Sequence, residues 1–396
     1  MTRHIPDTLP FEVEEFMTRY NKVREEMARR GIDVLYVTSP ANILYLTGYD
    51  AIWYPWRLPL GVVITTNPNQ GLVFFDWTRH EHYVRLKAMF DETEFFEYHD
   101  MKSTTVSAFR RRGWLEGRVA FEWYSPNPAA PVIKAVADSV AEAGAEVVSG
   151  DWVIDNVRLY KSPAELLKIR RAAAMADAAF IQLQADLVPG MTEMEVSAHL
   201  TALLAAQGSE HAATPPLVSS GPTAWCDVHS FPSHRKLEKG DTVSIDCCAV
   251  VDRYHANLAR TFALGEANSR ARAILQLSAD SVVELQQRAR LGEGPEIAAA
   301  AAEKYIRDRI PGRQIWWVGG YALGLAFPPS WVGHTYLAND GLEGCSWQPG
   351  YVSNYETVFY DDTEGFEAQN IDTIVMTEEG LEVLSVLPRT MLQVPV

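Results

Sequence analysis

The sequence predicts two domains, an α/β domain followed by an α+β domain, and three observations support this fold class. The chain has 396 residues, which is more than one ordinary hydrophobic core accommodates, so two domains are expected. Strand and helix patterns alternate through roughly the first 150 residues, as they do in α/β proteins. Between residues 155 and 396, helices and antiparallel strands occupy separate runs, which is typical of α+β folds.

The N-terminal elements are predicted from hydrophobic spacing. Residues 11–31 have helical spacing, and Gly31 suits the left-handed position that follows a helix. Strands are predicted at "IDVLYVTS", "LGVVITT", "GLVFFDW", "RVAFEW" and "EVVSG", with helices at "ANILYLTGYD" and over about 131–145. The alternation of these segments is the basis for the α/β assignment.

The domain boundary is predicted near "NVRLYKSPAELLKIRRAAAMADAAF". Ser162 and Glu165 form a capping box with proline at the first helical position, which starts a long amphipathic helix. A second capping box, Thr192 to Glu195, starts the next helix. Strands in "GDTVSIDCCAVVDRYHANLARTFAL", helices over about 269–291 and 294–308, and closing strands complete the second domain.

Composition limits the classes of partner. The net charge is −16 with a pI near 5.1, which argues against nucleic acid and anionic membranes as partners. The four cysteines contain no CxxC pair, so a reduced, cytoplasmic setting is favoured over a disulfide framework. The N-terminal segment lacks the apolar stretch of a signal peptide, and no run of residues is apolar enough to predict a membrane span.

The segment "WVGGYALGLAFPPSW" reads as a strand, a glycine-rich turn, an apolar segment and a Pro-Pro stop. Glycines at Gly319, Gly320 and Gly324 suggest a backbone that passes close to another part of the molecule. Tyr321 lies among these glycines. It either fills the core or occupies a position where a catalytic or metal-binding residue could stand.

Three longer segments resemble the creatinase/aminopeptidase P/prolidase superfamily, an M24-like family. They are "RLYKSPAELLKIRRAAAMAD", "VSSGPTAWCDVHSFPSHRKLEKGDTVSIDCCAVVDRYHANLARTF" and "GLEVLS", and the similarity runs from about residue 12 to 390. The resemblance implies a creatinase-type N-terminal α/β domain over 1–157 and an α+β pita-bread catalytic domain over 158–396. It also implies a homodimer.

Peptidase members of this superfamily bind two divalent metals through Asp, Asp, His, Glu and Glu. The matching positions here are Asp246, Asn257, Tyr321, Glu356 and Ile371. Only two carboxylates remain, whereas a dinuclear site needs several to offset about four positive charges. We therefore expect no metal and no other cofactor.

The resemblance to metal-free, creatinase-type members suggests a different set of catalytic residues. Their catalytic histidine aligns with His229, and an imidazole can move a proton between water and a leaving nitrogen. Glu356 matches one of their two guanidinium-binding glutamates, whereas Ala259 replaces the other. Asp246 and Glu356 are expected to bind a cationic amidinium or to donate to a carbonyl.

Further residues are predicted to contact the substrate. In "AIWYPWR", Arg57 aligns with an arginine that holds a substrate carboxylate across the dimer, beside Trp53, Tyr54 and Trp56. A guanidinium suits a planar carboxylate through two parallel hydrogen bonds. Asn257 and Tyr321 would supply hydrogen bonds. The weaker candidates are Trp331, His334 and His255, the last because it shares a strand face with Asn257.

The resulting hypothesis is a metal-independent hydrolase that cleaves a non-peptide C–N bond of a small zwitterion, such as a creatine-like compound or ectoine. One alternative is a metal-dependent Xaa-Pro dipeptidase, or a metal-using lyase, of the same fold. Another is a non-catalytic binding protein. The substitutions at Asn257 and Tyr321 argue against the first alternative, and the retained His229, Asp246 and Glu356 argue against the second.

Overall fold

The computed structural model describes residues 3–52, 56–226, 229–266, 268–337 and 345–396. The chain divides into two units, Met1–Arg158 and Leu159–Val396. Trp53 and Tyr54, predicted to be part of an aromatic cluster, lie outside the described residues. Among the helices that are described, none is long and apolar enough to cross a membrane.

The first unit is built on a six-stranded sheet with the order β4-β3-β2-β1-β5-β6. Its strands are β1 Val34–Val37, β2 Gly61–Thr65, β3 Val73–Trp77, β4 Glu92–Phe96, β5 Arg118–Phe121 and β6 Glu146–Ser149. Strands β1, β5 and β6 are parallel, as are β3 and β4, whereas β2 is antiparallel to both of its neighbours. The helices are α1 Val13–Arg29, α2 Pro40–Thr47, α3 Glu81–Lys87, α4 Met101–Arg111, α5 Ala130–Glu142 and α6 Val153–Val157.

Most elements of this unit are those predicted from the sequence. Helix α1 buries Phe16, Tyr20, Val23 and Met27, a three- to four-residue spacing that places them on one face. Gly31 follows the helix with φ +66°. Strand β4 and helices α3, α4 and α6 were not predicted. The first three are rich in charged and hydroxyl residues, and α6 has only 5 residues, so hydrophobic spacing identifies them poorly.

The second unit combines an eight-stranded sheet with five helices among its described residues. The strands are β7 Leu217–Ser220, β8 Thr242–Val251, β9 Tyr254–Leu264, β10 Ile315–Gly319, β11 Val352–Asp361, β12 Phe366–Thr377, β13 Gly380–Val383 and β14 Leu392–Val394. The helices are α7 Pro163–Asp186, α8 Glu193–Ala206, α9 Gly221–Ala224, α10 Ser269–Arg288 and α11 Pro295–Arg307. The main path runs β10-β11-β12-β9-β8-β7, with β13 paired to β12 and β14 to β9.

Local signals predicted where helices α7 and α8 begin. Both predicted capping boxes are present, so the hydroxyls of Ser162 and Thr192 accept hydrogen bonds from the backbone N–H groups of Glu165 and Glu195. The turn between β8 and β9 has positive φ at Asp252 and Arg253. That conformation matches the twist of a tight hairpin. The hairpin therefore holds β8 and β9 in one fixed register.

The strand register aligns one row of residues across the whole sheet. Leu217 of β7 lies opposite Asp246 of β8, which lies opposite Ala259 of β9. The same row continues through Ile371 of β12 to Glu356 of β11 and ends at Gly319 of β10. Directly opposed residues point to the same face of a sheet. This row therefore brings together side chains that are far apart in the sequence.

Arg260 and Asp372 hold the other face of this sheet in place. Both are fully buried, and the Arg260 guanidinium binds the Asp372 carboxylate at 2.7 Å. The guanidinium also donates to the carbonyls of Ile371 and Pro388. Because Asp372 is committed to this ion pair, its neighbour Ile371 faces the opposite side, where Glu356 lies.

Candidate active site

A cavity of about 450 Å³ lies over the row of residues that crosses the second sheet. Its floor includes Asp246, Glu356 and Ile371. Its walls are mainly aromatic and contain Trp316, Trp317, Tyr321, Trp331, Tyr336 and His229. A mostly apolar pocket with a few convergent polar groups is the usual form of a small-molecule site.

The two acids on the floor form a buried carboxyl pair. Burial raises the pKa of Asp246 well above its usual value, and the charge of Glu356 raises it further. Burial also raises the pKa of Glu356 to about 7, although hydrogen bonds from Tyr321, Asn354 and Trp317 oppose that rise. Two carboxylates in one site disfavour double ionisation. Near neutral pH the pair therefore retains a proton, so it can donate one hydrogen bond and accept others.

Two buried asparagines connect these acids. The Asn257 side-chain amide donates to Asp246 Oδ1 at 2.7 Å, and its oxygen accepts from the Asn354 amide at 2.8 Å. The Asn354 amide also donates to Glu356 Oε1 at 2.6 Å. Asp246, Asn257, Asn354 and Glu356 thus form one continuous hydrogen-bonded chain, which we call the amide bridge.

Tyr321 closes this arrangement at the cavity wall. Its hydroxyl accepts a hydrogen bond from the Trp331 indole at 2.9 Å, so the hydroxyl proton is available for its hydrogen bond to Glu356. The backbone N–H of Tyr321 donates to Asn354 Oδ1 at 2.7 Å. Burial and the charge of Glu356 raise the pKa of Tyr321 well above its usual value. Tyr321 is therefore a neutral hydrogen-bond donor at the site.

The glycines beside Tyr321 permit a close approach between chain segments. A Cβ atom on Gly320 would lie 2.1 Å from the backbone oxygen of Asn354. On Gly319 it would lie 2.8 Å from the backbone oxygen of Leu337. No side chain fits at either distance. The glycine turn therefore brings Tyr321 against β11, close to the carboxyl pair.

His229 lies on the cavity wall, as the hypothesis for a general base requires. It is exposed, and its ring meets that of Trp316 edge-on with 4.9 Å between centroids. Exposure at the mouth of the cavity gives the imidazole access to water. The structure thus brings His229, Asp246, Glu356, Tyr321 and Trp331 to one cavity.

The other two candidate histidines are placed differently. His255 is completely buried, its Nε2 accepts from the Ala213 N–H, and its Nδ1 contacts the Arg253 carbonyl. Burial lowers the pKa of His255 to about 3. Both ring nitrogens therefore contact backbone groups, and His255 does not line the cavity. His334 is half-buried and its Nε2 lies 3.2 Å from Thr335 Oγ1, also outside the set of lining residues.

Trp56 and Arg57 belong to the first unit. Trp56 is 56% exposed, and the Arg57 guanidinium stacks over its indole at 4.4 Å from the ring centroid. An arginine held against an exposed aromatic is typical of an interface or a ligand wall. A role for either residue in binding substrate remains a prediction.

The residues at the family's metal positions do not fit a dinuclear centre. Asn257 turns its amide nitrogen toward Asp246, and its oxygen already accepts from Asn354. Tyr321 is a neutral phenol and Ile371 has no donor atom. Across the described residues, no group of three or more His, Cys, Asp or Glu side chains is arranged to hold a metal ion. The donor set therefore lacks the bridging carboxylates that two cations need.

Several cavity residues were not identified from the sequence. Trp316 and Trp317 are adjacent in "QIWWVGG", where both read as ordinary strand residues. A β-bulge between Ile315 and Trp317 lets both indoles reach the cavity. Asn354 does not line the cavity but belongs to the amide bridge, and it could have been found because it lies two residues before Glu356 and so shares its strand face.

Comparison with known proteins identifies the family. Residues 167–378 match metallopeptidase family M24, and residues 19–160 match the creatinase/prolidase N-terminal domain. The chain belongs to metallopeptidase family M24 and carries a creatinase-type N-terminal domain. This confirms the predicted superfamily and its pita-bread fold. At the level of reaction class, membership supports a hydrolase.

Individual relatives have different activities. An ectoine hydrolase of Halomonas elongata is 25% identical over 415 residues, which cover 96% of this chain and 98% of that protein. A Xaa-Pro dipeptidase of Pyrococcus furiosus is 24% identical over 300 residues, covering 74% of this chain and 76% of that protein. Among solved structures, a dipeptidase of Pyrococcus horikoshii superposes with a TM-score of 0.82 at 22% identity, covering 96% of this chain and 100% of that one.

Proposed function

We propose that this chain is a metal-independent hydrolase that cleaves a non-peptide C–N bond, an amidine or an amide, in a small carboxylate-bearing zwitterion. Creatine-like compounds and ectoine are the candidate substrates. One observation carries the proposal: an amide-bridged carboxyl pair occupies the positions where metallopeptidases of this fold have metal ligands. Similarity to the ectoine hydrolase of Halomonas elongata, along nearly the whole chain, supports the same proposal.

The cavity suits a small organic cation. Its volume of about 450 Å³ matches a compact molecule better than a long peptide. Aromatic faces stabilise a cationic group, and the walls contribute Trp316, Trp317, Trp331, Tyr321 and Tyr336. The carboxyl pair on the floor, with one proton between its members, complements an amidinium with one positive charge.

His229 would act as both general base and general acid. It accepts a proton from water while the water oxygen forms a bond to the amidine or amide carbon. It then returns a proton to the leaving nitrogen as the C–N bond breaks. Asp246 and Glu356 orient the scissile group and stabilise the charge that develops, while Asn257 and Tyr321 hold these two acids through the hydrogen bonds described above.

The substrate carboxylate needs a separate partner, and Arg57 is the proposed one, supplied by a second subunit of a homodimer with Trp56 beside it. The proposal also includes a cytoplasmic setting. All four cysteines are free, which fits a reducing compartment.

The decisive experiment combines metal analysis with a substrate panel. Purified protein would be assayed with ectoine, creatine and Xaa-Pro dipeptides, before and after exhaustive treatment with a chelator. We expect turnover of an amidine-containing zwitterion and no loss of rate after chelation. Two tightly bound metal equivalents, together with dipeptide cleavage that chelation abolishes, would instead establish the alternative, a Xaa-Pro dipeptidase. Sequence similarity to the Pyrococcus furiosus dipeptidase is what favours that alternative.

A histidine variant tests the mechanism within the same assay. His229→Ala should lower kcat by about 10²–10⁴-fold, the usual contribution of a general acid–base. His234→Ala is the matched control, because His234 is an exposed histidine of the same segment that does not line the cavity. Equal activity of both variants would refute the assigned role. If no panel compound is turned over but one raises the melting temperature, the chain is a binding protein.

A further inference from the structure

Asn354 makes three side-chain hydrogen bonds beside the carboxyl pair, and neither the sequence motifs nor the proposed mechanism gives it a role. It is completely buried on β11 and does not line the cavity. Its oxygen accepts from the Tyr321 N–H, and its nitrogen donates to Asn257 and Glu356. It thus contacts the glycine turn and Glu356 directly, and it reaches Asp246 through Asn257.

Backbone groups determine the orientation of both asparagine amides. The Tyr321 N–H can only donate, so the Asn354 atom that it meets is the oxygen. The Cys247 carbonyl can only accept, so the Asn257 atom 3.0 Å from it is the nitrogen. Each amide therefore has one possible orientation. As a result, Asn354 donates toward Glu356, and Asn257 donates toward Asp246.

We propose that Asn354 is the positioning residue of this site: its amide fixes Glu356 directly and Asp246 through Asn257, in the space that metal ions would otherwise organise. This inference rests on the proposed function, because it assigns Asn354 a part in the same reaction. Asn354 acts without touching the substrate. It is required as an asparagine, since one acceptor and two donors are used at once.

Asn354→Asp tests this requirement with almost no change in shape. Aspartate still accepts from the Tyr321 N–H, but when ionised it cannot donate to Asn257 or Glu356 and adds a charge beside Glu356, and when protonated it can donate to only one of them. In a crystal structure of the variant, we expect the Glu356 carboxylate to move by about 1 Å or more, a displacement that can cost about 10²-fold in rate. With the substrate from the panel, kcat should fall by about that factor while KM changes much less.

Asn370→Asp is the matched control. Asn370 is a buried asparagine of β12 that donates to Ser278 and to the Arg389 carbonyl, and it lies opposite Thr357, one position removed from the Glu356 row. We expect Asn370→Asp to leave Glu356 in place. Both kcat and KM should stay close to their wild-type values. A comparable loss of kcat in the control would overturn the assignment, because general destabilisation would then account for it.

A second variant, Asn354→Ser, covers the case in which Asn354→Asp fails to fold. Serine is shorter, so it creates space rather than strain, and it cannot reach Asn257 and Glu356 together. Unchanged Glu356 and Asn257 positions in this variant would refute the proposal. If the wild type turns over nothing in the panel, the proposed function fails, yet the variant crystal structures still decide whether Asn354 positions the pair.

Discussion

At the scale of single residues, Tyr321, at the position that the family resemblance gives to a metal-binding histidine, is held by three hydrogen-bonding partners. Its hydroxyl accepts from the Trp331 indole and binds Glu356, while its N–H holds Asn354. A histidine-to-tyrosine change at this position would by itself have only removed a metal ligand. Surrounded by these partners, the phenol joins the wall of the cavity to the carboxyl pair on its floor.

Tyr321→Phe isolates the contribution of that hydroxyl. The variant leaves the buried Trp331 N–H without its acceptor and removes one hydrogen bond from Glu356, so we expect a loss of about 1–3 kcal/mol in the free energy of unfolding. Urea denaturation measures this loss. The control is Tyr336→Phe, which removes a hydroxyl from a cavity tyrosine that is 41% exposed. If the two variants lose the same stability, the buried hydrogen bonds of Tyr321 do not contribute as described.

At the scale of elements, the turn after β10 and the strand β11 act as one unit. Gly320 lies against the Asn354 backbone oxygen, and Tyr321 follows immediately. The row of opposed residues then runs from Glu356 of β11 through Ile371 and Ala259 to Asp246. Because antiparallel strands fix which residues oppose each other, a shift of one residue would turn every one of these side chains away from the cavity.

Gly320→Ala tests this close approach. The added Cβ would stand 2.1 Å from a backbone atom, so the turn must move away from β11. We expect a loss of about 1–3 kcal/mol in stability and a loss of turnover, because Tyr321 leaves Glu356. Gly312→Ala is the control, since there the nearest atom is a flexible arginine end 3.9 Å away. Thermal unfolding and the panel assay measure both effects, and a fully active Gly320→Ala would contradict this account.

At the scale of the whole molecule, each unit has its own buried acid centre. In the first unit Glu122 is completely buried and accepts hydrogen bonds from the Thr38 and Ser39 N–H groups, each at 2.7 Å. Burial raises its pKa to about 8 from an ordinary value of 4.5, and the charge of Asp155 contributes to the rise. The folded state therefore binds a proton at Glu122 more tightly than the unfolded chain.

The stability of the chain should depend on pH through Glu122. The contribution of the protonated group is fully present below pH 4.5 and is lost as the pH rises to about 8. The total loss is at most about 5 kcal/mol, at 1.36 kcal/mol for each pH unit. Glu122→Gln does not ionise, so denaturation at pH 5, 7 and 9 should find its stability rising relative to the wild type. Glu116→Gln, at an exposed site, is the control. Its stability relative to the wild type should be the same at all three pH values.

Much of the architecture was predictable from local signals. Capping boxes at Ser162 and Thr192, the glycine after α1 and the hydrophobic periodicities located most elements, because each depends on neighbouring residues only. Strand β4 and helices α3 and α4 were missed because their polar composition hides any periodicity. For His255, strand alternation predicted the correct face of β9. Its two ring nitrogens, however, contact backbone groups of Ala213 and Arg253.

The sequence by itself determined the family and the order of most elements, and through the family resemblance it predicted the replacement of metal ligands at Asn257, Tyr321 and Ile371, because these depend on residue identity. Only the tertiary structure decided what replaces the ligands. The amide bridge needs Asn257 and Asn354, which are 97 positions apart in the chain, to meet, and pairing of β8, β9, β11 and β12 brings them together. The directions of the hydrogen bonds, the burial of the side chains and the pairing of the carboxyl groups depend on this contact between strands. No local sequence pattern could therefore predict them.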